Sequence, residues 1–365
     1  MAATALRAWA RIGDTVSYSA GTYERALPTA MFDFDSTLRP YRGKGPSENM
    51  TLVFLARLSD SFNIVIVSNR GGAISAPDPL RDYVAALDKA SSGRATVYGP
   101  HARDRYRKPH TGTWEHYVAT HCKGVRPAIV FFCGDAAGRP GDHSAVDYMY
   151  ALNVAIPFIT VESIFSGSDP VSLGCSAEPP ALEATPAEAE AASAGERDLA
   201  ALAKPCLIVM VGSPASGKTR IAARLVAEQS FTLISSDAQG AAHRRLFADG
   251  LASRQSIVVD NTCPLVANRE HFAGMAARAG GYAIAICHVT TPKPLCFHLN
   301  AARCQCDATG LTAELPPVAL HTYWKRLEPP TEKEAAAFGA QLVRIPFALA
   351  ADAPLEVTHF RYPCR

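Results

Sequence analysis

The sequence predicts an α/β protein built from two doubly wound, parallel-sheet domains. Three observations carry that expectation. Apolar runs of strand length within residues 1–165 stop abruptly at polar or acidic residues. A glycine-rich loop at 212–219 lies between another such run and a helical stretch. A segment rich in Pro, Ala and Glu, 166–203, separates the two patterns. A chain of 365 residues is long enough for two domains that each bury a core.

Composition narrows the class. Hydrophobic residues make up 48% and charged residues 19%, a soluble, globular balance. No apolar run is long enough to cross a bilayer, so no membrane partner is expected, and no secretory leader is visible. Residues 1–13 carry Arg7 and Arg11 and are read as a structured first helix rather than a mitochondrial presequence. The ten cysteines lack zinc-type spacing, Cys304 and Cys306 being too close. Several sit inside apolar runs, as expected of reduced core thiols. Net charge is +2, but it is unevenly spread. Residues 1–165 hold 18 basic and 15 acidic residues (+3), 166–203 hold 1 and 7 (−6), and 204–365 hold 17 and 12 (+5). Two mildly basic domains around an acidic spacer suit a protein that grips a few phosphates rather than coating a duplex.

In chain order, 29–32 is a buried strand ending at Asp33 and Asp35, two carboxylates that repel unless a cation or proton intervenes. A helix over 50–58 leads to a second buried strand, 62–67. That strand ends at Ser68-Asn69-Arg70-Gly71-Gly72, where a hydroxyl, an amide, a guanidinium and free backbone N–H groups form a phosphate seat. After a helix at 79–90 and a short strand near 96–98 comes a basic cluster, 103–108. Its Lys108 precedes a proline and a helix at 114–120. The third strong strand, 127–133, ends at Gly134-Asp135, and Asp147 follows twelve residues on.

Strand ends bearing Asp/Asp, Ser, a lysine loop and Asp, in that order, describe phosphoryl transfer to an aspartate. Asp33 would attack phosphorus. Asp35 would protonate the leaving oxygen and then deprotonate the water that cleaves the acyl phosphate. Asp135, with Asp33 and a backbone carbonyl at Asp35, would hold Mg²⁺, and Ser68 and Lys108 would neutralise phosphoryl oxygens. This constellation resembles the haloacid dehalogenase superfamily of phosphatases.

The second domain opens with a strand, 206–211, then Gly212-Ser213-Pro214-Ala215-Ser216-Gly217-Lys218-Thr219 and a helix over 220–229. This is a phosphate-binding loop. Backbone N–H groups and a helix N-terminus cradle the phosphates of ATP, Lys218 reaches the β and γ groups, and Thr219 ligates Mg²⁺. A short strand at 233–235 ends at Ser236-Asp237, and 256–262 is a buried strand carrying Asp260. A helix at 267–279 and a strand at 282–287 follow, then basic residues including Arg303, Lys325 and Arg326. Arg303 is a candidate for the lid that covers a transferred phosphoryl group. The spacer is read as a linker, with a short helix at 187–201.

Taken together, Phe32-Asp33-Phe34-Asp35-Ser36-Thr37, Tyr106-Arg107-Lys108-Pro109, Gly134-Asp135-Ala136-Ala137-Gly138-Arg139-Pro140, the phosphate loop, Asp260-Asn261-Thr262 and His298 with Asn300 and Arg303 resemble the polynucleotide kinase 3′-phosphatase family, phosphatase first. That resemblance implies a phosphatase domain at 1–165, a linker at 166–203 and a kinase domain at 204–365. It implies Mg²⁺ and ATP as cofactors, and removal of 3′-phosphate and phosphorylation of 5′-hydroxyl at DNA strand breaks. DNA ligase and repair factors are then the expected partners, and the chain would act as a monomer in the nucleus, with the mitochondrion as the alternative. By match, Asp33 is the nucleophile, Asp35 the acid/base, Asp135 and Asp147 metal ligands, and Asp237 the base for the 5′-hydroxyl. Two departures stand out: Ser235-Ser236 replace Asn-Arg before that base, and Ser68-Asn69-Arg70 stands where Thr-Asn-Gln is usual. Fewer than thirty residues precede the first expected strand, too few for a forkhead-associated domain. The rival readings are a metabolite phosphatase fused to a small-molecule kinase, and RNA end repair.

Overall fold

The computed structural model describes residues 8–12, 15–19, 23–70, 78–90, 95–100, 103–127, 130–167, 180–307, 312–349 and 353–362. It divides into two compact units. One comprises Met1–Pro179, Ala301–Glu314 and Leu355–Arg365; the other comprises Pro180–Asn300 and Leu315–Pro354. The boundaries expected at 165 and 203 are therefore too simple, because two C-terminal pieces of chain pack into the first unit.

The first unit holds a seven-stranded sheet. Its strands are β1 (Ala8–Ile12), β2 (Thr15–Ser19), β3 (Thr29–Phe32), β4 (Asn63–Val67), β5 (Ala95–Pro100), β6 (Val130–Gly134) and β7 (Phe158–Thr160), in the spatial order β1-β2-β5-β4-β3-β6-β7. From β5 to β7 every pairing is parallel. The central β3 is buried along its whole length. Strands covered on both faces must be apolar throughout, which is why Ala30, Met31 and Phe32 run without interruption. Phe32, Ala30 and Ile66 pack with Leu55, Leu80 and Leu87 on one face. Met31, Val65 and Phe132 pack with Tyr117 and Tyr150 on the other.

At the far edge the sheet departs from the all-parallel expectation: β1 pairs with β2, and β2 with β5, antiparallel. The first helix expected over 1–13 is accordingly corrected, since residues 8–12 are strand. An edge hairpin needs only one apolar side, so polar and apolar residues alternate through β2, and β1 carries the single charge of Arg11. The hairpin is pinned by Trp9 opposite Tyr18, ring centroids 5.0 Å apart, with the Arg81 guanidinium 4.5 Å from the Trp9 ring.

The second unit has a five-stranded, wholly parallel sheet. Its strands are β8 (Cys206–Val211), β9 (Thr232–Ile234), β10 (Ile257–Val259), β11 (Ala283–Val289) and β12 (Ala340–Ile345), ordered β12-β11-β8-β10-β9. Residues 180–203 of the expected linker belong to this unit. Residues Pro186–Ala200 form a helix whose N-terminus is closed by a capping box between Thr185 and Glu188. Its Ala192 and Leu199 are buried with Val343 and Ile345 of β12. Composition hid this role because the helix buries small alanines and a single leucine. In both sheets the strand order reverses next to the first core strand, β3 or β8. That places a crevice beyond the carboxyl ends of those strands, where open α/β sheets bind ligands.

Candidate active sites

The first site gathers at the carboxyl ends of β3, β4 and β6. Asp33 follows β3, and its N–H donates to the Cys133 carbonyl at 2.8 Å, continuing the β3–β6 pairing by one residue. Lys108 reaches in from the loop before helix Gly112–Thr120. Its Nζ donates to Asp33 Oδ1 at 2.5 Å and to Asp147 Oδ1 at 2.7 Å. Asp147 lies in the first turn of helix Val146–Val154, 1% exposed, and its Oδ2 accepts from the Ala136 N–H at 3.1 Å. The fit is tight because residue 134 has no side chain. A Cβ there would stand 2.6 Å from Asp147 Cγ, so only glycine admits this carboxylate. Asp33 Oδ2 also accepts from Thr37 Oγ1 at 3.2 Å.

One oxygen from each of Asp33, Asp135 and Asp147 lies within 4.8 Å of the others. Three carboxylates face one ammonium in a buried pocket, an arrangement left with net negative charge unless protons or a cation enter. Burial pushes Asp33 up to about 6, with Lys108 opposing and Asp147 adding to the rise. Burial, then Asp147 and Asp33, pushes Asp135 up to about 8. Burial pulls Lys108 down, but Asp147 and Asp33 outweigh it and its ammonium is held more firmly than usual. All-oxygen ligands with surplus negative charge are the donor set a hard divalent cation takes.

Other expected residues occupy different roles. Ser68 is buried at the end of β4. Asn69, expected to touch substrate, brackets the Lys108 backbone: its Nδ2 donates to the Lys108 carbonyl and its Oδ1 accepts from the Lys108 N–H, both at 2.9 Å. Arg70 is engaged by two carboxylates. Its Nη1 lies 3.2 Å from both oxygens of Asp35, and its Nε donates to Asp78 Oδ2 at 3.1 Å. The Asp35 carboxylate is thus paired with Arg70, and Arg39 Nε lies 3.7 Å from its Oδ1. Gly71 and Gly72 lie outside the described residues. In the Gly134–Pro140 stretch, Arg139 locks the loop by pairing with Asp142 at 3.0 Å and Glu162 at 3.0 Å. Thr37 and Arg139 stand inside the quoted family stretches without an assigned role, and Asp78 carries no spacing signal.

The second site follows β8. Gly217 (φ +100°) and Ala215 (φ +60°) turn the loop, and helix Lys218–Gln229 begins at once. Lys218 is buried, and its Nζ donates to the Ser213 carbonyl at 2.7 Å. Burial lowers its pKa, with Asp260 as the largest opposing pull. The loop is held from behind by Gly212 N–H to the Thr262 carbonyl (3.2 Å) and Thr291 Oγ1 to the Ser216 carbonyl (2.7 Å). The Ser216 hydroxyl is buried without a hydrogen-bond partner, and a Cβ at Gly212 would lie 2.7 Å from it. An orphaned donor in a glycine-lined cradle fits a phosphate group. Thr219 is exposed in the first helical turn, and Asp237 is exposed on the short helix Ser236–Gln239 that follows β9. Ser236 donates through both N–H (2.9 Å) and Oγ (2.8 Å) to Asn261 Oδ1, so it braces the strand ends. Arg303 belongs to the first compact unit, on helix Lys293–Cys306, where its Nη2 donates to the Ala313 carbonyl at 3.2 Å. Lys325 and Arg326 close the helix Pro317–Arg326. No helix of the described residues is long and apolar enough to cross a membrane.

Both halves of the chain are similar to known proteins. Residues 28–165 match a family model described as polynucleotide kinase 3 phosphatase, and residues 207–249 match one described as an AAA domain. The chain is 26% identical over 287 residues to the bifunctional polynucleotide phosphatase/kinase of Schizosaccharomyces pombe, a match spanning 76% of this chain and 68% of that protein. Over 131 residues it is 29% identical to the polynucleotide 3′-phosphatase of Saccharomyces cerevisiae, spanning 33% of this chain and 55% of that protein.

Proposed function

We propose that the chain, whose residues 28–165 match the polynucleotide kinase 3 phosphatase model and which is similar to a bifunctional polynucleotide phosphatase/kinase, belongs to that family and repairs broken DNA ends, removing a 3′-phosphate at one site and phosphorylating a 5′-hydroxyl from ATP at the other. The observation that carries the first activity is Lys108 held between Asp33 and Asp147, with Asp135 beside them. Asp33 is the nucleophile. Its buried carboxylate attacks phosphorus, the P–O bond to the sugar breaks, and the phosphoryl group becomes an acyl phosphate on Asp33. Asp35 donates the proton that the departing 3′-oxygen requires, and then accepts one from the water that hydrolyses the acyl phosphate. Lys108 offsets charge on the phosphoryl oxygens, and Ser68 donates to them. Asp33, Asp135, Asp147 and the carbonyl of Asp35 would hold Mg²⁺, whose positive charge lets one anion approach another. The haloacid dehalogenase type of chemistry is part of the same proposal.

In the second unit the backbone N–H groups of 212–219 and Lys218 would grip the β and γ phosphates of ATP, with Thr219 and Asp260 on the magnesium side. Asp237 would orient the 5′-hydroxyl in line with the γ-phosphorus; Arg303, expected as the lid, packs within the first compact unit. A 3′-hydroxyl and a 5′-phosphate are the termini a ligase joins. DNA ligase and repair factors as partners, a monomeric state and a nuclear site of action complete the proposal. The test is a labelled nicked duplex with 3′-phosphate and 5′-hydroxyl, incubated with protein, ATP and magnesium. Both labels should convert, and the rates should fall as salt rises because substrate phosphates are bound. Conversion of neither end, or a flat salt dependence for both reactions, would overturn the proposal in favour of a metabolite enzyme.

A further inference from the structure

The loop that delivers Lys108 is anchored by residues some two hundred positions further along the chain. On one flank, Asn69 brackets the Lys108 backbone, as described above. On the other flank, His110 is 1% exposed and its ring stacks on Phe360, centroids 5.0 Å apart and planes 12° apart. The Glu314 carboxylate lies 4.0 Å from His110 Nε2 and accepts from Tyr362 Oη at 2.7 Å. The Glu314 N–H donates to the Arg103 carbonyl at 2.7 Å, at the start of the loop. Gln305 closes its end: Oε1 accepts from the Thr111 N–H at 3.0 Å, and Nε2 donates to Thr111 Oγ1 at 2.8 Å. Asn153 ties the neighbouring Pro109 carbonyl (2.9 Å) to both backbone groups of Arg361, at 2.6 and 2.8 Å.

We propose that Gln305, Glu314, Phe360 and Tyr362 are positioning residues for the phosphatase step, clamping loop 103–111 so that Lys108 meets Asp33 and Asp147. A lysine side chain has four rotatable bonds and great freedom. Its delivery to two carboxylates at hydrogen-bond distance requires that its backbone be fixed on both sides. Residues 301–314 and 355–362 follow the phosphate loop in sequence, yet by packing they belong to the phosphatase unit. Small apolar contacts support the clamp, with Phe360 buried among Ala301, Ala302 and Val357.

This inference rests on the proposed 3′-phosphatase, and its test keeps the two apart. Phe360→Ala should lower phosphatase kcat by about tenfold or more, since small misplacements of a catalytic group are costly. KM should change little, as expected for a contact that matters in the transition state. Phe360→Tyr, which keeps the stacked ring, should restore the rate. Kinase activity of the same preparation should hold, while the phosphatase unit melts lower because a buried ring is lost. If Phe360→Ala does not accumulate as folded protein, the same comparison is made with Gln305→Ala. Wild-type phosphatase rates in both variants, or equal losses of both activities, would overturn the clamp alone. Wild-type protein that fails to remove a 3′-phosphate would overturn the function and the clamp together.

Discussion

Replacing Gly134 with alanine should abolish 3′-phosphate removal, although it adds one methyl group. Glycine inside a strand usually costs about 0.5–1 kcal/mol relative to alanine, so backbone considerations alone favour the change. The structure reverses the sign. The new Cβ would sit 2.6 Å from Asp147 Cγ and 2.7 Å from its Cβ, far inside van der Waals contact. Asp147 is 1% exposed and has no room to retreat. Moving it breaks the bonds from Lys108 Nζ (2.7 Å) and the Ala136 N–H (3.1 Å). Hydrogen bonds to a charged group are worth about 1.5–3 kcal/mol each, so the change costs about 3–6 kcal/mol. At roughly 2–4 °C per kcal/mol for a unit of this size, the phosphatase unit should melt about 6–24 °C lower, and its kcat should fall at least about a hundredfold. Paired phosphatase and kinase assays with calorimetry measure this. A Gly134→Ala protein with wild-type phosphatase activity and an unchanged or raised melting temperature would refute the steric argument.

Three further outcomes are expected. Asp33→Asn should remove phosphatase activity and spare the kinase, and Lys218→Ala should do the reverse; loss of both activities from either change, read on the same nicked substrate, would contradict two separate sites. Mg²⁺ binding should release up to about one proton at pH 7 and less near pH 9, because a carboxylate held near 8 must lose its proton before it can ligate. Affinity should therefore weaken as pH falls below about 8, and calorimetry in buffers of different ionisation enthalpy would expose an absent proton. Arg269→Ala should destabilise the kinase unit by about 3–5 kcal/mol. That side chain is fully buried, pairs with Glu334 at 2.6 and 2.8 Å and donates to the carbonyls of Cys263 and Pro264; a thermal melt that does not move would sink this claim.

Much of the core was legible because parallel strands are buried on both faces and announce themselves as apolar runs. β3, β8 and helix Pro79–Ala90 fall where the pattern placed them. The edge hairpin β1–β2 was not legible, since its short strands mix alanine, serine and Arg11 and give no continuous apolar run. Helix Pro186–Ala200 was foreseen as a helix but not as a packed layer, because alanine and glycine give no periodic apolar signal. Arg70 looked like a phosphate ligand from its neighbours in sequence; only the fold shows it engaged by Asp35 and Asp78.

The residue order alone determined which chemical groups stand at the strand ends, because strand, turn and helix N-terminus are local consequences of side-chain type and period. It placed Asp33, Asp135 and the 212–219 loop beyond β3, β6 and β8 for that reason. Tertiary structure decided what those groups face. It set Lys108 between Asp33 and Asp147, admitted Asp147 over a bare Gly134, and brought Phe360 onto His110. Distances between residues far apart in the chain depend on how layers pack, and no local preference encodes them.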